Sequence, residues 1–123
     1  AYTANIKILK ITFLGTGTSQ GVPVIGCTCS VCSSVDYRDQ RLRSSIAIEY
    51  KDKSIIIDCG PDFRQQVLRA RIKKLDALIF THEHKDHTAG LDDIRGFNYV
   101  QKGPIAMYAE DRVMERIKIE YSY

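Results

Sequence analysis

The residue types best suited to chemistry fall in one run, Thr81-His82-Glu83-His84-Lys85-Asp86-His87, which holds all three histidines of the 123-residue chain. Imidazole and carboxylate together are ligands that suit borderline divalent ions such as zinc, manganese or iron. His82 and His84 are two positions apart, a spacing that aligns side chains on an extended backbone and not on a helix. Asp86 and His87 are adjacent and can turn to a second ion about 3.5–4 Å away, the usual separation in two-metal hydrolytic sites. The run therefore predicts a metal-dependent hydrolytic site.

Three cysteines, Cys27, Cys29 and Cys32, form a second group of possible ligands. Thiolates this close in sequence can occupy three corners of a tetrahedral zinc site, although a redox pair or free thiols are alternatives. Cys59 follows an apolar segment and is expected to be a small buried hydrophobe more than a fourth ligand. Four cysteines without secretory features favour a thiol or metal role over a disulfide framework.

Strands and helices must position these side chains, and the pattern of apolar residues predicts where they lie. The apolar segment 75–80 predicts a buried strand whose end delivers the histidine run, and 45–50 with 54–58 predicts a hairpin turning at 51–53. Two further strands are predicted at 6–14 and 105–108, with helices at 62–70, 90–100 and 110–120. Strands that first pair in sequence and then alternate with helices indicate an α/β layered fold.

The chain as a whole has an ordinary globular composition, with 44% hydrophobic and 27% charged residues. Its length allows one domain at most. It lacks a signal peptide and an apolar run of about 20 residues, so a cytoplasmic protein without a membrane partner is expected.

The basic residues fall into two groups that have different explanations. A net charge of +3 is too slight to indicate nucleic acid by itself. The cluster Arg69, Arg71, Lys73 and Lys74 is explained by its place at a helix end, with a nucleic-acid surface as the alternative. Arg38, Arg41 and Arg43 flank the cysteine loop and could face an anionic substrate.

Several motifs, taken in order, resemble the metallo-β-lactamase fold hydrolases over roughly residues 8 to 123. The His-x-His-x-Asp-His run after a strand is the most specific of them. Together they are similar to the branch that contains the phosphoribosyl 1,2-cyclic phosphate phosphodiesterases. The other motifs are Gly-Thr-Gly-Thr-Ser-Gln-Gly-Val-Pro at 15–23, the cysteine trio, Arg-Leu-Arg-Ser-Ser at 41–45, Ile-Asp-Cys-Gly-Pro-Asp-Phe at 57–63 and Gly-Leu-Asp-Asp-Ile-Arg at 90–95.

The resemblance implies an αββα sandwich with a mixed sheet flanked by helices. In that family a third histidine, a bridging aspartate and a final histidine lie further downstream, whereas this sequence has no histidine after His87. Residues 1–123 are therefore expected to be a single incomplete domain, the amino-terminal half of a larger one. Alone, this fragment is expected to be inactive.

The resemblance also implies roles for individual residues. His82 and His84 would hold the first metal, Asp86 and His87 the second, with zinc or manganese as the ions. Asp86 could also accept a proton from the attacking water. Asp58 would accept a hydrogen bond from the metal loop and so orient the metal ligands. An aspartate that caps the turn at Gly60 is the alternative.

For the cysteine trio, the resemblance implies a structural zinc whose fourth ligand is a distant histidine. Glu83 and Lys85, at the variable positions of the histidine motif, are read as solvated side chains.

The function implied is a phosphodiesterase that hydrolyses a small cyclic sugar phosphate through a water bridging two metal ions. Its partner would be a small phosphodiester; nucleic acid is not expected, and a homo-oligomer is left open. Two alternatives stay open, a transfer-RNA-processing nuclease on the same fold and a non-catalytic zinc-binding or redox module built on the cysteines.

Overall fold

A mixed five-stranded sheet forms the centre of the computed structural model, which describes residues 8–122. The strands lie in sequence order, and the first three pair antiparallel while the last two continue in parallel. Helices accompany the parallel part, so the α/β prediction is confirmed. The strands are β1 (Leu9–Gly15), β2 (Ser45–Tyr50), β3 (Lys53–Ile57), β4 (Ala77–Ile79) and β5 (Ala106–Tyr108).

The helices are α1 (Phe63–Ala70), α2 (Lys85–Thr88), α3 (Arg95–Gln101) and α4 (Asp111–Glu120), with short 3-10 helices at Tyr37–Asp39 and Leu91–Ile94. The predicted hairpin and the first and last helices are confirmed to within one residue. The predicted helix 90–100 is instead a 3-10 turn that leads into α3. The short helix α2, inside the histidine run, was not predicted. Residues 6 and 7 of the predicted first strand lie outside the described residues.

Strand β4 is shorter than the predicted 75–80 for a local reason. The amide of Leu75 donates to Gln101 Oε1 at 2.7 Å, and its carbonyl accepts from Gln101 Nε2 at 3.0 Å. Because a side chain on α3 satisfies the backbone of Leu75, that residue does not join the ladder. Its apolar side chain is nevertheless fully buried, which is what the sequence pattern detected.

One face of the sheet carries the core. The register aligns Ala47, Ile56 and Leu78 across β2, β3 and β4, and all three are buried. Phe63 and Val67 of α1 belong to the same cluster of buried side chains, as do Val113 and Ile117 of α4.

The opposite face carries a second apolar row, which the described residues cover only in part. Phe13, Ile46, Ile57, Ile79 and Tyr108 align across all five strands. Phe13 is 70% exposed and Tyr108 is 59% exposed at the two edges of this row. An exposed apolar patch of this kind usually meets another layer of protein. The second half of the sandwich implied by the family resemblance stays a prediction.

Among the described residues, no helix has the length and apolar character needed to cross a membrane.

The substitution Ile56→Ala tests the central packing position. Ile56 is 0% exposed, so its truncation leaves a cavity and should lower the free energy of unfolding by about 2–5 kcal/mol. Chemical denaturation measures this change. The matched control is Ile25→Ala at a fully exposed isoleucine, which should stay within about 0.5 kcal/mol of the parent. Equal losses in the two variants would contradict the packing described here.

Candidate metal centre

The carboxyl ends of β3 and β4 meet at one edge of the sheet because the two strands are parallel neighbours. Asp58 follows β3 directly, and Thr81 to His87 follow β4 one residue later. The amide of Asp58 donates to the carbonyl of Ile79 at 2.8 Å, so the two strand ends stay joined beyond the regular ladder. This edge is where α/β folds commonly present functional side chains.

The Asp58 carboxylate is the buried centre of the site, with the residue only 4% exposed. It accepts from the Thr81 amide at 2.8 Å and from the Thr81 hydroxyl at 2.6 Å. It also lies 2.6 Å from His87 Nδ1. A carboxylate can only accept, so this contact places the Nδ1 proton on His87 and leaves Nε2 as the ring's ligand atom. These three contacts satisfy a charge that would otherwise be costly to bury.

The backbone of Asp58 has a left-handed conformation, with φ of +64°. Aspartate and asparagine tolerate this region better than other non-glycine residues. The turn directs the carboxylate back under the histidine run and away from Gly60, so no capping contact with Gly60 forms.

Two glycines allow the histidine run to pack closely on the segment after β3. A Cβ built at Gly60 would lie 2.1 Å from the carbonyl oxygen of Asp86, and one at Gly90 would lie 2.2 Å from the carbonyl oxygen of Gly60. Backbone bonds fasten the same contact, from Cys59 N to His87 O at 3.0 Å and from Gly90 N to Cys59 O at 2.9 Å. Any side chain at either glycine would push the run outwards.

The four predicted metal ligands of the histidine run are brought together, with Asp58 beside them, in two overlapping groups. Ligand atoms of His82, His84 and Asp86 lie within 4.8 Å of one another, as do those of Asp58, His82 and His87. The rings of His82 and His87 are 4.0 Å apart between centroids, and those of His82 and His84 are 4.7 Å apart. His82 belongs to both groups, so the donors surround one small volume.

The donor set fits a divalent cation. His87 Nε2 lies 3.0 Å from Asp86 Oδ2, and its other nitrogen is directed at Asp58. Two possible ligand atoms, His87 Nε2 and Asp86 Oδ2, therefore lie close enough together to share one cation. Imidazole and carboxylate atoms at such separations are the donors that zinc, manganese and iron accept.

Helix α4 fixes the variable positions of the histidine motif. Glu83 accepts from Arg112 Nη1 at 2.8 Å, and Lys85 Nζ lies 2.8 Å from Glu120 Oε2. Lys85 also lies 4.8 Å from the ring centre of Tyr121. The reading of Glu83 and Lys85 as solvated side chains is therefore wrong for Glu83, whose side chain is 21% exposed, and incomplete for Lys85, which is exposed but ion-paired.

Sequence reasoning missed the role of α4 and of Thr81. The partners Glu83 and Arg112 are separated by 29 positions, and no local pattern relates them. Thr81 was visible as a hydroxyl residue at the strand end, which is a weak signal on its own.

The arginines beside the cysteine loop are engaged within the protein. Arg38 pairs with Asp36, and Arg41 donates to the Thr16 hydroxyl at 2.9 Å. Arg43 pairs with Asp62 at 3.1 Å and donates to the carbonyl of Ser19 at 2.7 Å. Arg41 and Arg43 tie the loop after β1 to the segment before β2, and Arg43 also ties it to the start of α1.

The three loop cysteines also converge, with their sulfur atoms within 4.8 Å of one another. The Cys32 amide donates to Cys29 Sγ at 3.4 Å and lowers the pKa of the Cys29 thiol to about 7. Cys59 is different, because it is fully buried and burial raises the pKa of its thiol well above the ordinary range. The prediction that Cys59 is a small buried side chain is confirmed.

Comparison with known proteins places this arrangement in a family. The profile described as "Beta-lactamase superfamily domain" matches residues 53–123, more than half of the chain. The chain belongs to the beta-lactamase superfamily. The family-level resemblance seen in the sequence is thus confirmed.

Individual proteins and solved structures are similar to the chain over most of its length. The chain is 47% identical over 116 residues to an octanoyltransferase of Porphyromonas gingivalis, covering 94% of this chain but 23% of that protein. A crystal structure of a diphosphatase from the PhnP family matches with a TM-score of 0.89 and 45% identity, covering 94% of this chain and 47% of that one. Zinc-bound PqqB from Methylobacterium extorquens matches with a TM-score of 0.76 and 25% identity, covering 91% of this chain and 40% of that one. The chain therefore spans less than half the length of each of these relatives.

The substitution Asp58→Asn tests the contact beneath the histidines. Asparagine tolerates the left-handed backbone, so the fold should survive while the charge that fixes His87 is lost. We expect metal affinity at the histidine run to fall about 10–100-fold, as for other partners of metal-bound histidines. Zinc titration against a competing chelator measures this loss. Asp52→Asn, in the exposed turn between β2 and β3, is the control and should leave the affinity unchanged.

The reactivity of the cysteines gives a second prediction. A thiol whose pKa is lowered to about 7 is largely thiolate at pH 8 and mostly protonated at pH 6. In reduced, chelator-treated protein, alkylation of Cys29 should therefore rise between pH 6 and 8, while Cys59 stays unreactive. Mass spectrometry of peptides after brief iodoacetamide treatment measures both rates. Added zinc should protect Cys27, Cys29 and Cys32 together; independent rates for the three would argue against a shared ion.

Proposed function

We propose that this chain carries the metal-binding loop of a metal-dependent phosphodiesterase that hydrolyses a small cyclic sugar phosphate. One observation carries the proposal. Two groups of imidazole and carboxylate donors share His82 at the carboxyl ends of adjacent parallel strands. Such an arrangement suits two neighbouring divalent ions better than it suits a structural role.

In this proposal His82 and His84 hold one ion, and Asp86 and His87 hold the other. The ions are zinc or manganese, and a zinc-bound relative supports the first choice. When bound, such ions act as Lewis acids on a phosphoryl oxygen and lower the pKa of a nearby water.

The chain's own residues prepare the site. Asp58 holds the Nδ1 proton of His87, which would leave Nε2 as the nitrogen that binds an ion. Thr81, which donates twice to Asp58, fixes the carboxylate in turn. Asp86 offers the carboxylate nearest to His87 Nε2 and can accept the proton released by the attacking water. Helix α4 keeps the run in place through Glu83 and Lys85.

The substrate class rests on the branch resemblance and on one relative. The PhnP-family structure is named a diphosphatase, so its reaction centre is also phosphorus. A cyclic phosphodiester and a diphosphate are both hydrolysed by attack of water on phosphorus, beside anionic oxygens that a metal pair can bind. We therefore propose hydrolysis at phosphorus as the class of reaction and a cyclic diester as the preferred substrate.

The cysteine trio is proposed to hold a structural zinc. Three converging sulfur atoms, one with a lowered pKa, provide the thiolate character that zinc requires. A zinc there would brace the loop that Arg41 and Arg43 tie to the sheet.

The intact protein with defined substrates tests the proposed function. Hydrolysis of a cyclic sugar phosphate should disappear in chelator and return with zinc or manganese. His84→Ala should reduce the rate about 100-fold or more, because it removes a metal ligand. The control is Asp52→Asn, which lies in an exposed turn and should retain full activity.

Assays of several substrates side by side distinguish the alternative functions. Faster turnover of inorganic diphosphate than of the cyclic diester would contradict the proposed substrate. It would still support metal-dependent hydrolysis at phosphorus. Preference for a transfer-RNA precursor would favour the nuclease. Metal bound at the cysteines alone, with no hydrolysis of any phosphate ester, would support the non-catalytic zinc module.

A further inference from the structure

A groove of about 500 Å³ lies at the end of the sheet opposite the histidine run. It is lined by Lys53 and Ser54, where β3 begins, whereas Asp58 follows the last residue of β3. The segment after α1 forms its other wall. Six basic side chains line it, from Lys10, Lys51, Lys53, Arg71, Lys73 and Lys74.

The positive charge of the chain is concentrated in this groove. Six basic and two acidic side chains, Glu49 and Asp52, line it and give a net charge of +4. The whole chain has a net charge of +3, so the rest of the chain is slightly negative. Placement at the carboxyl end of α1 accounts for Arg71, but not for Lys10, Lys51 and Lys53, which lie on strands or in a turn.

Part of this charge is not compensated within the protein. Lys10 pairs with Glu49 at 3.7 Å, and Lys74 pairs with Asp76 at 3.5 Å. In contrast, Lys53, Arg71 and Lys73 form no ion pair with any described residue. Three cations around one groove repel one another unless an anion lies between them.

A buried hydroxyl provides an independent observation. Ser54 is 6% exposed and lines the groove, and its Oγ has no hydrogen-bond partner among the described residues. The sheet register places Ser54 in one row with Lys10 and Glu49. Asp76 does not satisfy this hydroxyl, because its carboxylate accepts from the Ser54 amide at 2.7 Å. A buried donor without a partner is rare in proteins, and the Ser54 side chain would have to rotate towards the groove to meet an acceptor there.

We propose that this groove binds a small, multiply charged phosphate anion such as inorganic diphosphate. Lysine and arginine side chains supply charge-assisted bonds to phosphate oxygens, and the Ser54 hydroxyl supplies a neutral donor at depth. An extended nucleic acid fits less well. Among the described residues, the groove is lined by no aromatic side chain on which a base could stack, and two carboxylates lie beside the cations.

This anion site is separate from the metal centre. Lys53 begins β3 and Asp58 follows its last residue, and a rise of about 3.3 Å per residue puts roughly 17 Å between these two positions. An anion in the groove therefore does not touch the histidines. It would anchor or regulate the protein without taking part in the reaction.

Calorimetric titration of the intact protein with inorganic diphosphate tests the proposal. The titration uses the His84→Ala background in the presence of a chelator, so that diphosphate bound through metal at the histidine run does not contribute. Lys73→Glu should weaken binding about tenfold or more, because one charge-assisted contact is lost and a like charge is added. Ser54→Ala should weaken it about threefold, with little change in stability. The matched control Lys118→Glu, on the exposed face of α4, should bind as the parent does.

Each other outcome overturns the proposal. Equal weakening by Lys73→Glu and Lys118→Glu would show that overall charge, and not a site, attracts the anion. Diphosphate binding unaffected by Ser54→Ala would overturn the proposed site, because the site as described includes that hydroxyl. Tight, salt-dependent binding of single-stranded RNA without binding of diphosphate would show a nucleic-acid surface instead.

Discussion

The buried carboxylate of Asp58 is the contact on which the arrangement of the histidine run depends. It sits between the ends of two parallel strands and accepts from the backbone and hydroxyl of Thr81 and from the ring of His87. A buried charge must be satisfied completely, so the loop has little freedom to take another path. The left-handed turn at Asp58 makes these contacts possible, because it directs the side chain under the loop. Asp58 thereby connects the end of β3 to the orientation of the His87 ring, which a metal-binding histidine needs.

Two other features hold the same loop from different sides. Below it, Gly60 and Gly90 allow backbone to pack directly on backbone, at distances where no side chain fits. Beside it, α4 reaches Glu83 and Lys85 through ion pairs and through Tyr121, whose hydroxyl donates to the carbonyl of Thr88. The apolar residues of α4, Val113 and Ile117, are buried in the core. The loop is therefore coupled to the hydrophobic core through a helix as well as through the strands.

The sequence predicted much of the fold because alternation and apolar runs report burial directly. The hairpin of β2 and β3, helix α1 and the strand leading to the histidines follow from such patterns. Long-range polar contacts leave no comparable signal, which is why the pairing of Glu83 with Arg112 and the shortening of β4 by Gln101 were not predicted. The histidine motif and cysteine trio were evident from residue type and spacing, and the structure brings each group together. Their roles as ligands stay predictions.

The ion pairs between α4 and the histidine motif bear on how this family can evolve. Positions 83 and 85 look free to vary within His-x-His-x-Asp-His, yet each has a charged partner on α4. The partner of Glu83 lies near the start of the helix, and the partner of Lys85 lies at its end. A change of charge at either position leaves the opposite charge on the helix without its counterpart. Substitutions at 83 and 112, or at 85 and 120, are therefore expected to arise together in descendants of this sequence. Covariation between such distant columns would mark the helix as part of the metal centre in relatives that have no structure.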